Sequence, residues 1–178
     1  WHNWSGSVTA KPQQIVSPSS EYELAEVVKR AANDEKTIRV VGSGHSFVPL
    51  CATDGLLLSL DNLQGVSAVD ETLGVGTIWA GSKLYQLGEP LLEAGLALEN
   101  MGDIDRQSLA GAIGTGTHGT GRKIGNLSTQ VVGLHLVTAT GDIVEISSAN
   151  DPERFKAARL SLGAIGIVSR ITLQLLPA

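Results

Sequence analysis

The feature that most constrains the fold of this chain is a short strand pattern that runs directly into a glycine turn. Residues 37–41 are mostly β-branched, which favours a buried strand, and Gly42 ends the pattern. The turn then reads Val41-Gly42-Ser43-Gly44-His45-Ser46-Phe47. Because open α/β sheets bind ligands at the carboxyl ends of their strands, this turn is predicted to hold one. The backbone N–H groups of the turn can donate hydrogen bonds to a phosphate, and the imidazole of His45 can contact a ring of the same bound ligand.

Glycine is also concentrated in a second segment, residues 102–121. Seven of the 21 glycines lie between Gly102 and Gly125, a density that indicates close approach of the backbone to a ligand. Ser108 is predicted to cap a short helix that runs through Ala112 and leaves free N–H groups at its start. Such a helix start favours an anion. Together the two glycine segments fit one dinucleotide held across two lobes.

Composition narrows the ligand classes. A net charge of −5 and an aromatic content of 4% argue against nucleic-acid binding, which needs many cations or stacking platforms. A diphosphate on so acidic a chain must be held by local dipoles, which glycine turns supply. No apolar run approaches the ~20 residues of a membrane helix, so we expect no transmembrane segment and a soluble cytoplasmic protein. His45 and His118 lack further ligands at suitable spacing, so no metal site is predicted.

The hydrophobic patterns divide the chain into two groups of elements. The first group, up to about residue 62, is interpreted as a β-α-β-β unit with a helix from the cap cluster 17–20 to about 33–34 and strands at 37–41 and 56–60. The second group comprises a hairpin over 66–76, a helix over 81–95 that Pro90 should bend or interrupt, a hairpin with strands at 131–138 and 142–146, a helix over 152–161 and a strand over 165–176.

Three motifs carry a family resemblance: residues 41–47, Glu99-Asn100-Met101-Gly102-Asp103 continuing to 117–121, and Leu162-Gly163-Ala164-Ile165-Gly166-Ile167-Val168. In these motifs the chain resembles the PCMH-type FAD-binding domain of the vanillyl-alcohol-oxidase-like flavoproteins. Residues 3–6 and 51–55 are similar to the L-gulono-1,4-lactone oxidases and dehydrogenases, in the aldonolactone and alditol oxidase group. The resemblance implies an α+β fold in which a small β-α-β lobe, about residues 1–63, packs on a larger mixed or antiparallel sheet lobe with helices, about 64–178.

The resemblance also implies site residues. His45 would be bonded covalently to the 8α-methyl of FAD, and backbone N–H groups of residues 42–46 would hold the diphosphate. The implied FAD-binding set is Val41, Gly42, Ser43, Gly44, His45, Ser46, Gly102, Ser108, Gly111, Gly114, Thr115, His118, Gly166 and Ile167. Within it, Gly166 and Ile167 would meet the adenine end.

The implied chemistry is hydride transfer from a sugar CH–OH to flavin, with oxygen or another molecule as the electron acceptor. Gly102 would lie over the flavin edge, where the missing methyl leaves room for oxygen. Asp103 occupies the position of a substrate-facing serine in alditol oxidases, which favours a lactone over a polyol. No general base can be named, because relatives supply substrate-binding charges from a second domain that these 178 residues do not contain.

Other interpretations stay open. The chain could belong to an alditol oxidase of the xylitol or sorbitol type, or it could be a non-catalytic module that holds FAD or another diphosphate. A cell-wall-sugar flavoreductase of the same fold is disfavoured, because those enzymes bind FAD noncovalently and a histidine in the glycine turn is unexpected there.

Overall fold

The computed structural model, which describes residues 1–178, contains a small parallel sheet built around an apolar central strand. Strand β3 (Leu56–Ser59) is buried at all four positions. It lies between β1 (Gln14–Val16) and β2 (Ile38–Val41), and both pairings are parallel. A continuous apolar run is typical of a strand enclosed on both faces, which explains why β3 is central and its more polar neighbours lie at the edges.

Helix α1 (Glu21–Asn33) connects β1 to β2, and its ends follow the capping signals in the sequence. Ser20 is the N-cap residue, and its side chain accepts a hydrogen bond from the N–H of Glu23. Leu24, Val27 and Ala31 recur at helical spacing and are buried. The predicted helix is therefore confirmed, with its last residue at Asn33.

A five-stranded antiparallel sheet forms the larger part of the molecule, in the order β4-β5-β9-β7-β8. Its strands are β4 (Val66–Asp70), β5 (Val75–Trp79), β7 (Val131–Val137), β8 (Ile143–Ser147) and β9 (Ile167–Gln174). Along β9, Arg170 pairs with His135 of β7 while Val168 pairs with the next residue, Leu136. Ser169 is thus one extra residue in β9, a β-bulge that locally re-aims its side chain.

Shorter elements complete the fold. They are α2 (Gly88–Glu93), β6 (Leu96–Ala97), α3 (Leu109–Gly114), α4 (Pro152–Ala158) and β10 (Leu176–Pro177), with β6 and β10 forming a separate antiparallel pair. None of the helices has both the length and the apolar content needed to cross a bilayer.

The two sheets share one hydrophobic core and are also joined by a partly buried ionic contact. Glu21, at the start of α1, accepts hydrogen bonds from Ser169 Oγ at 2.6 Å and from Arg170 Nη2 at 2.7 Å. The Glu21 side chain is 12% exposed and that of Arg170 is 30% exposed. His135 Nδ1 lies 3.3 Å from Glu21 Oε1 without hydrogen-bond geometry. We call these four residues the Glu21 contact; it links the helix of the parallel sheet to the antiparallel sheet.

The predicted α+β architecture, a small β-α-β unit on a larger antiparallel sheet, is confirmed by these two sheets, and both hairpins are present. Three details differ. The predicted helix over 81–95 is split into a 3-10 turn, Leu84–Gln86, and α2. The break precedes Pro90, because proline fits the first turn of a helix, where its missing N–H has no partner to lose. The last helix ends at Ala158, and the last strand begins at Ile167 and ends at Gln174.

Candidate functional site

A cleft of about 880 Å³ opens between the parallel sheet and the antiparallel sheet. Its volume is at the upper end of the range for small-molecule sites. Three segments of the sequence meet along its walls: the turn after β2, the start of α3, and the loop that leads into β9. The predicted site residues that line the cleft are Val41, Gly42, Ser43, Gly44, His45, Ser46, Ser108, Gly111, Gly114, Thr115, Gly166 and Ile167.

The two glycine segments touch at Gly42 and Ser108. A Cβ atom built on Gly42 would overlap Ser108 Oγ, and one built on Gly111 would lie 2.9 Å from the same oxygen. Ser108 itself is 4% exposed. Only glycine allows the β2 turn and the start of α3 to approach this closely. The contact therefore forms a continuous backbone wall from two segments that are more than sixty residues apart in the sequence.

The start of α3 offers fewer free donors than the sequence suggested. Ser108 is the N-cap residue as predicted, and the helix extends to Gly114. However, the N–H groups of Leu109 and Ala110 donate to the carbonyls of Ser82 and Ala80. The expectation of a free helix start is therefore corrected, because the neighbouring loop uses two of its first donors.

Cationic side chains supply the positive potential instead. Lys36, Arg39 and Arg159 line the cleft, against a single acidic lining residue, Asp61. The carboxylate of Asp61 lies 2.7 Å from Lys83 Nζ and is already neutralised there. Lys36 Nζ in turn lies 3.5 Å from the carboxylate of Asp34, so Arg39 and Arg159 are the cleft cations without an acidic partner. They make the cleft locally positive in a chain of net charge −5, which favours an anionic ligand. These three cations were not predicted from the sequence, because Lys36 precedes β2, Arg39 lies within it and Arg159 follows α4, so no local pattern groups them.

Ser43 and His45 both leave polar atoms without a protein partner. Ser43 Oγ is buried and makes no hydrogen bond. Buried hydroxyls are nearly always paired, so an unpaired one that lines a cleft marks a place where a ligand can bind. The ring of His45 is half-buried, makes no hydrogen bond within the protein, and stacks on the indole of Trp4 with centroids 5.1 Å apart and planes at 24°.

Cys51 lines the same cleft, and its thiol is a weak nucleophile. It is the single cysteine of the chain. Partial burial raises the pKa of the Cys51 thiol, so the thiol stays protonated and weakly nucleophilic near neutral pH. No three His, Cys, Asp or Glu side chains gather into a metal-binding cluster.

Three predicted site residues lie outside the cleft lining: Gly102, Asp103 and His118. Asp103 and His118 are exposed, and His118 Nδ1 lies 2.8 Å from the carbonyl oxygen of Gly119. A Cβ on Gly102 would lie 2.7 Å from Thr117 Cγ2, so the room expected beside this glycine is filled by Thr117 and a methyl group requires that side chain to shift. The second glycine segment is thus divided, with 108–115 at the cleft and its flanks apart from it.

Known proteins share this architecture over nearly the whole chain. The family described as FAD binding domain matches residues 12–147. L-gulono-1,4-lactone dehydrogenase of Mycobacterium tuberculosis is 46% identical over 177 residues, covering 99% of this chain and 41% of the relative. D-arabinono-1,4-lactone oxidase of Kluyveromyces lactis is 44% identical, covering 98% of this chain and 34% of the relative. The chain therefore spans about two fifths or less of these relatives' length.

A solved structure agrees on the fold. 6-Hydroxy-D-nicotine oxidase from Arthrobacter nicotinovorans superposes with a TM-score of 0.84 at 25% identity, and the match covers 98% of this chain and 40% of that chain. The matched family and the shared fold both indicate FAD binding. The cleft agrees with them, because its walls contain exposed glycine backbone, an unpaired hydroxyl and positive charge. The chain belongs to the FAD binding domain family, and FAD is its cofactor.

Proposed function

We propose that this chain is the FAD-holding part of an oxidoreductase that oxidises a CH–OH group of a sugar lactone resembling L-gulono-1,4-lactone. Two relatives that match nearly the whole chain at 46% and 44% identity carry the names of lactone dehydrogenase and lactone oxidase. Bound FAD supplies a two-electron acceptor for the hydride. The observation that carries the proposal is the single cleft in which both glycine segments and His45 meet.

We propose that different residues of the cleft bind different parts of FAD. The backbone of residues 42–46 and the hydroxyl of Ser43 would bind the diphosphate, with Ser108, Gly111, Gly114 and Thr115 on the opposite wall. The positive side chains of Arg39 and Arg159 support this assignment, because they line the cleft without an acidic partner. Gly166 and Ile167 would meet the adenine end. Roles for Gly102, Asp103 and His118 stay predictions.

We further propose that His45 is bonded to the 8α-methyl of the flavin. The imidazole would lose its N–H proton and form a carbon–nitrogen bond to the methyl carbon, which loses one C–H proton. The two electrons released would reduce the flavin, which an acceptor such as dioxygen would then reoxidise. Support comes from the position of His45 in the cleft and from its ring nitrogens, which have no partner in the protein.

Attachment can be tested by denaturing the purified full-length protein. Flavin fluorescence should stay with the polypeptide on a denaturing gel, and His45→Ala should abolish it while noncovalent FAD still binds. Tyr22→Ala is the control, since this exposed aromatic residue of α1 lies outside the cleft lining and has no proposed role in FAD binding, and it should keep the covalent flavin. Release of all flavin from the unaltered protein on denaturation would contradict the covalent bond.

Substrate class requires a separate test. We expect L-gulono-1,4-lactone to bleach the flavin absorbance of the full-length protein faster than xylitol or sorbitol. Faster bleaching by a polyol would favour an alditol oxidase, and no bleaching by any of them would favour a non-catalytic FAD module. Reoxidation in air compared with reoxidation by a dye would distinguish oxygen from another acceptor.

The organisation of the whole protein also stays a proposal. We propose lobes at about residues 1–63 and 64–178 and a further domain that supplies the substrate-binding charges and the general base. This division is consistent with the share of each lactone relative that the chain matches, 41% and 34%. A cytoplasmic location is likewise our prediction, which fractionation of cells with an antibody to the chain would test.

A further inference from the structure

We propose that the N-terminal segment, residues 1–10, positions His45 for flavin attachment, with Trp4 as the positioning residue that holds the imidazole ring. This inference rests on the proposed bond between His45 and FAD. It concerns the segment Asn3-Trp4-Ser5-Gly6, which lies far from β2 in the sequence and is placed against the glycine turn by the fold.

The N-terminal segment is a closed loop of its own. His2 and Thr9 form an antiparallel bridge, and the N–H of Asn3 donates to the carbonyl of Val8 at 2.9 Å. The side chain of Asn3 fills the centre of this loop and is 2% exposed. Its Oδ1 accepts from the N–H of Val8 at 3.0 Å, so the loop is held internally before it meets the glycine turn.

Two hydrogen bonds then join this loop to the residues on either side of His45. The N–H of Trp4 donates to the carbonyl of Gly44 at 2.8 Å, and Asn3 Nδ2 donates to the carbonyl of Ser46 at 3.0 Å. Gly44 has φ +68°, and a Cβ there would lie 3.3 Å from both Asn3 Cα and the nitrogen of Trp4. The backbone on both sides of His45 is therefore fixed by the N-terminal loop.

The imidazole ring itself is held by Trp4. The indole of Trp4 stacks on it with centroids 5.1 Å apart, although 66% of the Trp4 residue surface is exposed. Reactive histidines are usually oriented by a hydrogen bond to one ring nitrogen, but the His45 ring has none within the protein. Stacking covers one face of the imidazole and leaves the nitrogens at the ring edge free, as attack on a methyl carbon requires.

Removing the indole should slow attachment without emptying the cleft. Trp4 is not among the residues that line the cleft, so Trp4→Ala should still bind FAD noncovalently. An aromatic pair of this kind corresponds to about a 3- to 10-fold effect, and we expect the rate of covalent attachment to fall by that factor. Trp4→Phe keeps a ring at the position and should stay within about 2-fold of the unaltered rate.

The experiment follows attachment over time. Full-length flavin-free protein is mixed with FAD in air, samples are denatured at intervals, and the fraction of flavin retained on the polypeptide is measured for each variant. Tyr22→Ala is the matched control, because Tyr22 is an exposed aromatic residue on α1 and should leave the rate unchanged. A Trp4→Ala rate equal to that of the unaltered protein, or equal slowing in Trp4→Phe and Trp4→Ala, would overturn the inference.

A second readout does not depend on attachment. In the flavin-free protein the ring current of Trp4 should displace the His45 imidazole C–H signals in the NMR spectrum, and Trp4→Ala should move them toward free-histidine positions. Unchanged signals would overturn the stacking role even if attachment slowed. If the unaltered protein forms no covalent flavin, the proposed bond fails; the NMR comparison then still decides whether Trp4 holds the His45 ring.

Discussion

The two sheets of this protein approach each other at two places, and a charged pair joins them at only one of these. At the Glu21 contact, one carboxylate accepts from a hydroxyl and a guanidinium, and the indole of Trp79 lies 4.2 Å from that guanidinium. At the cleft, Ser43 Oγ and the His45 ring have no hydrogen-bond partner, and glycine leaves the backbone bare. The Glu21 carboxylate is paired within the protein, although Arg170 Nε and His135 Nδ1 beside it have no hydrogen-bond partner. The cleft offers its polar groups no such internal partner and is open to a ligand.

The Glu21 contact therefore stabilises the fold, whereas the cleft is built to bind the cofactor. The Glu21 contact fixes where the helix of the parallel sheet lies on the antiparallel sheet, and its energy comes from pairing within the protein. The cleft does not gain stability in that way, because its unpaired groups cost free energy until a ligand binds them. Substitutions at the Glu21 contact should therefore lower mainly the free energy of unfolding, and substitutions in the cleft should change mainly the affinity for FAD.

The largest effect should come from closing the gap at Gly42. Gly42→Ala places a methyl group on Ser108 Oγ, so the β2 turn and α3 must separate. Overpacking of this kind costs about 3 kcal/mol of folding stability at its upper range. The flavin-free protein can relieve the strain by separating the two segments, whereas FAD needs them together, so we expect FAD binding to weaken by up to roughly 100-fold. The dissociation constant is measurable by flavin fluorescence in a His45→Ala background, where FAD stays noncovalent.

Two further variants test whether that loss is local. Gly88→Ala is the control, because no heavy atom lies within 4 Å of an added Cβ at Gly88, and it should leave FAD binding unchanged. Adding Ser108→Ala to Gly42→Ala removes the overlapping oxygen and should restore part of the affinity. Equal binding by Gly42→Ala and the unaltered protein would contradict the close contact of the two segments.

The Glu21 contact should yield the next largest effect, on stability. Glu21→Gln keeps the size of the side chain but leaves Arg170 without a counter-charge. Breaking a buried pair costs about 3–5 kcal/mol. Arg170 is 30% exposed, so we expect a smaller loss of about 2 kcal/mol in the free energy of unfolding.

A surface pair on the same helix provides the matched control. Glu26 lies 3.0 Å from Lys29 with both side chains largely exposed, so Glu26→Gln should change the free energy of unfolding by less than about 0.5 kcal/mol. Urea unfolding of both variants in the flavin-free state measures the difference. If Glu21→Gln were no more destabilising than Glu26→Gln, the Glu21 contact would not hold the two sheets together.

The smallest effect should come from Ser43→Ala, which we expect to stabilise the flavin-free protein but to weaken FAD binding. Ser43→Ala removes a buried hydroxyl that has no partner, so the flavin-free protein should gain about 1 kcal/mol in stability. FAD would lose one hydrogen bond and should bind about 5-fold more weakly. Thermal melts with and without FAD measure both changes, and a destabilised flavin-free variant would show that the hydroxyl is already satisfied.

The sequence predicted elements whose signals are local. Helix α1 carries its cap, its apolar spacing and its end within one continuous segment, and the two hairpins carry their turns between their strands. Strand β1 was not located, because three residues with exposed positions give no periodicity and its partner β3 lies forty residues further on. The split before α2 was placed at Pro90, although the helix simply begins earlier and takes proline into its first turn.

The candidate site was predictable only in part for the same reason. Glycine density and the family resemblance identified the segments around Gly42 and Ser108. Neither gave the cations, because Lys36 and Arg159 reach the cleft from an exposed helix-to-strand connection and from the end of α4. The stack of Trp4 on His45 also depends on a loop closing across forty residues, which no local pattern encodes.

The extra residue Ser169 lies in β9, the strand that contributes both to the Glu21 contact and to the wall of the cleft. Ile167, Val168 and Ile171 of β9 line the cleft, while Ser169 and Arg170 between them contact Glu21. Since side chains alternate along a strand, the inserted residue sets which side chains of β9 reach the cleft and which reach Glu21. A one-residue deletion there would shift the cofactor wall and the ionic contact out of step at once, whereas a deletion in the exposed turn at 71–73, outside the cleft lining, would shift neither. Insertions and deletions should therefore be tolerated very unevenly along this chain, with β9 the least permissive stretch.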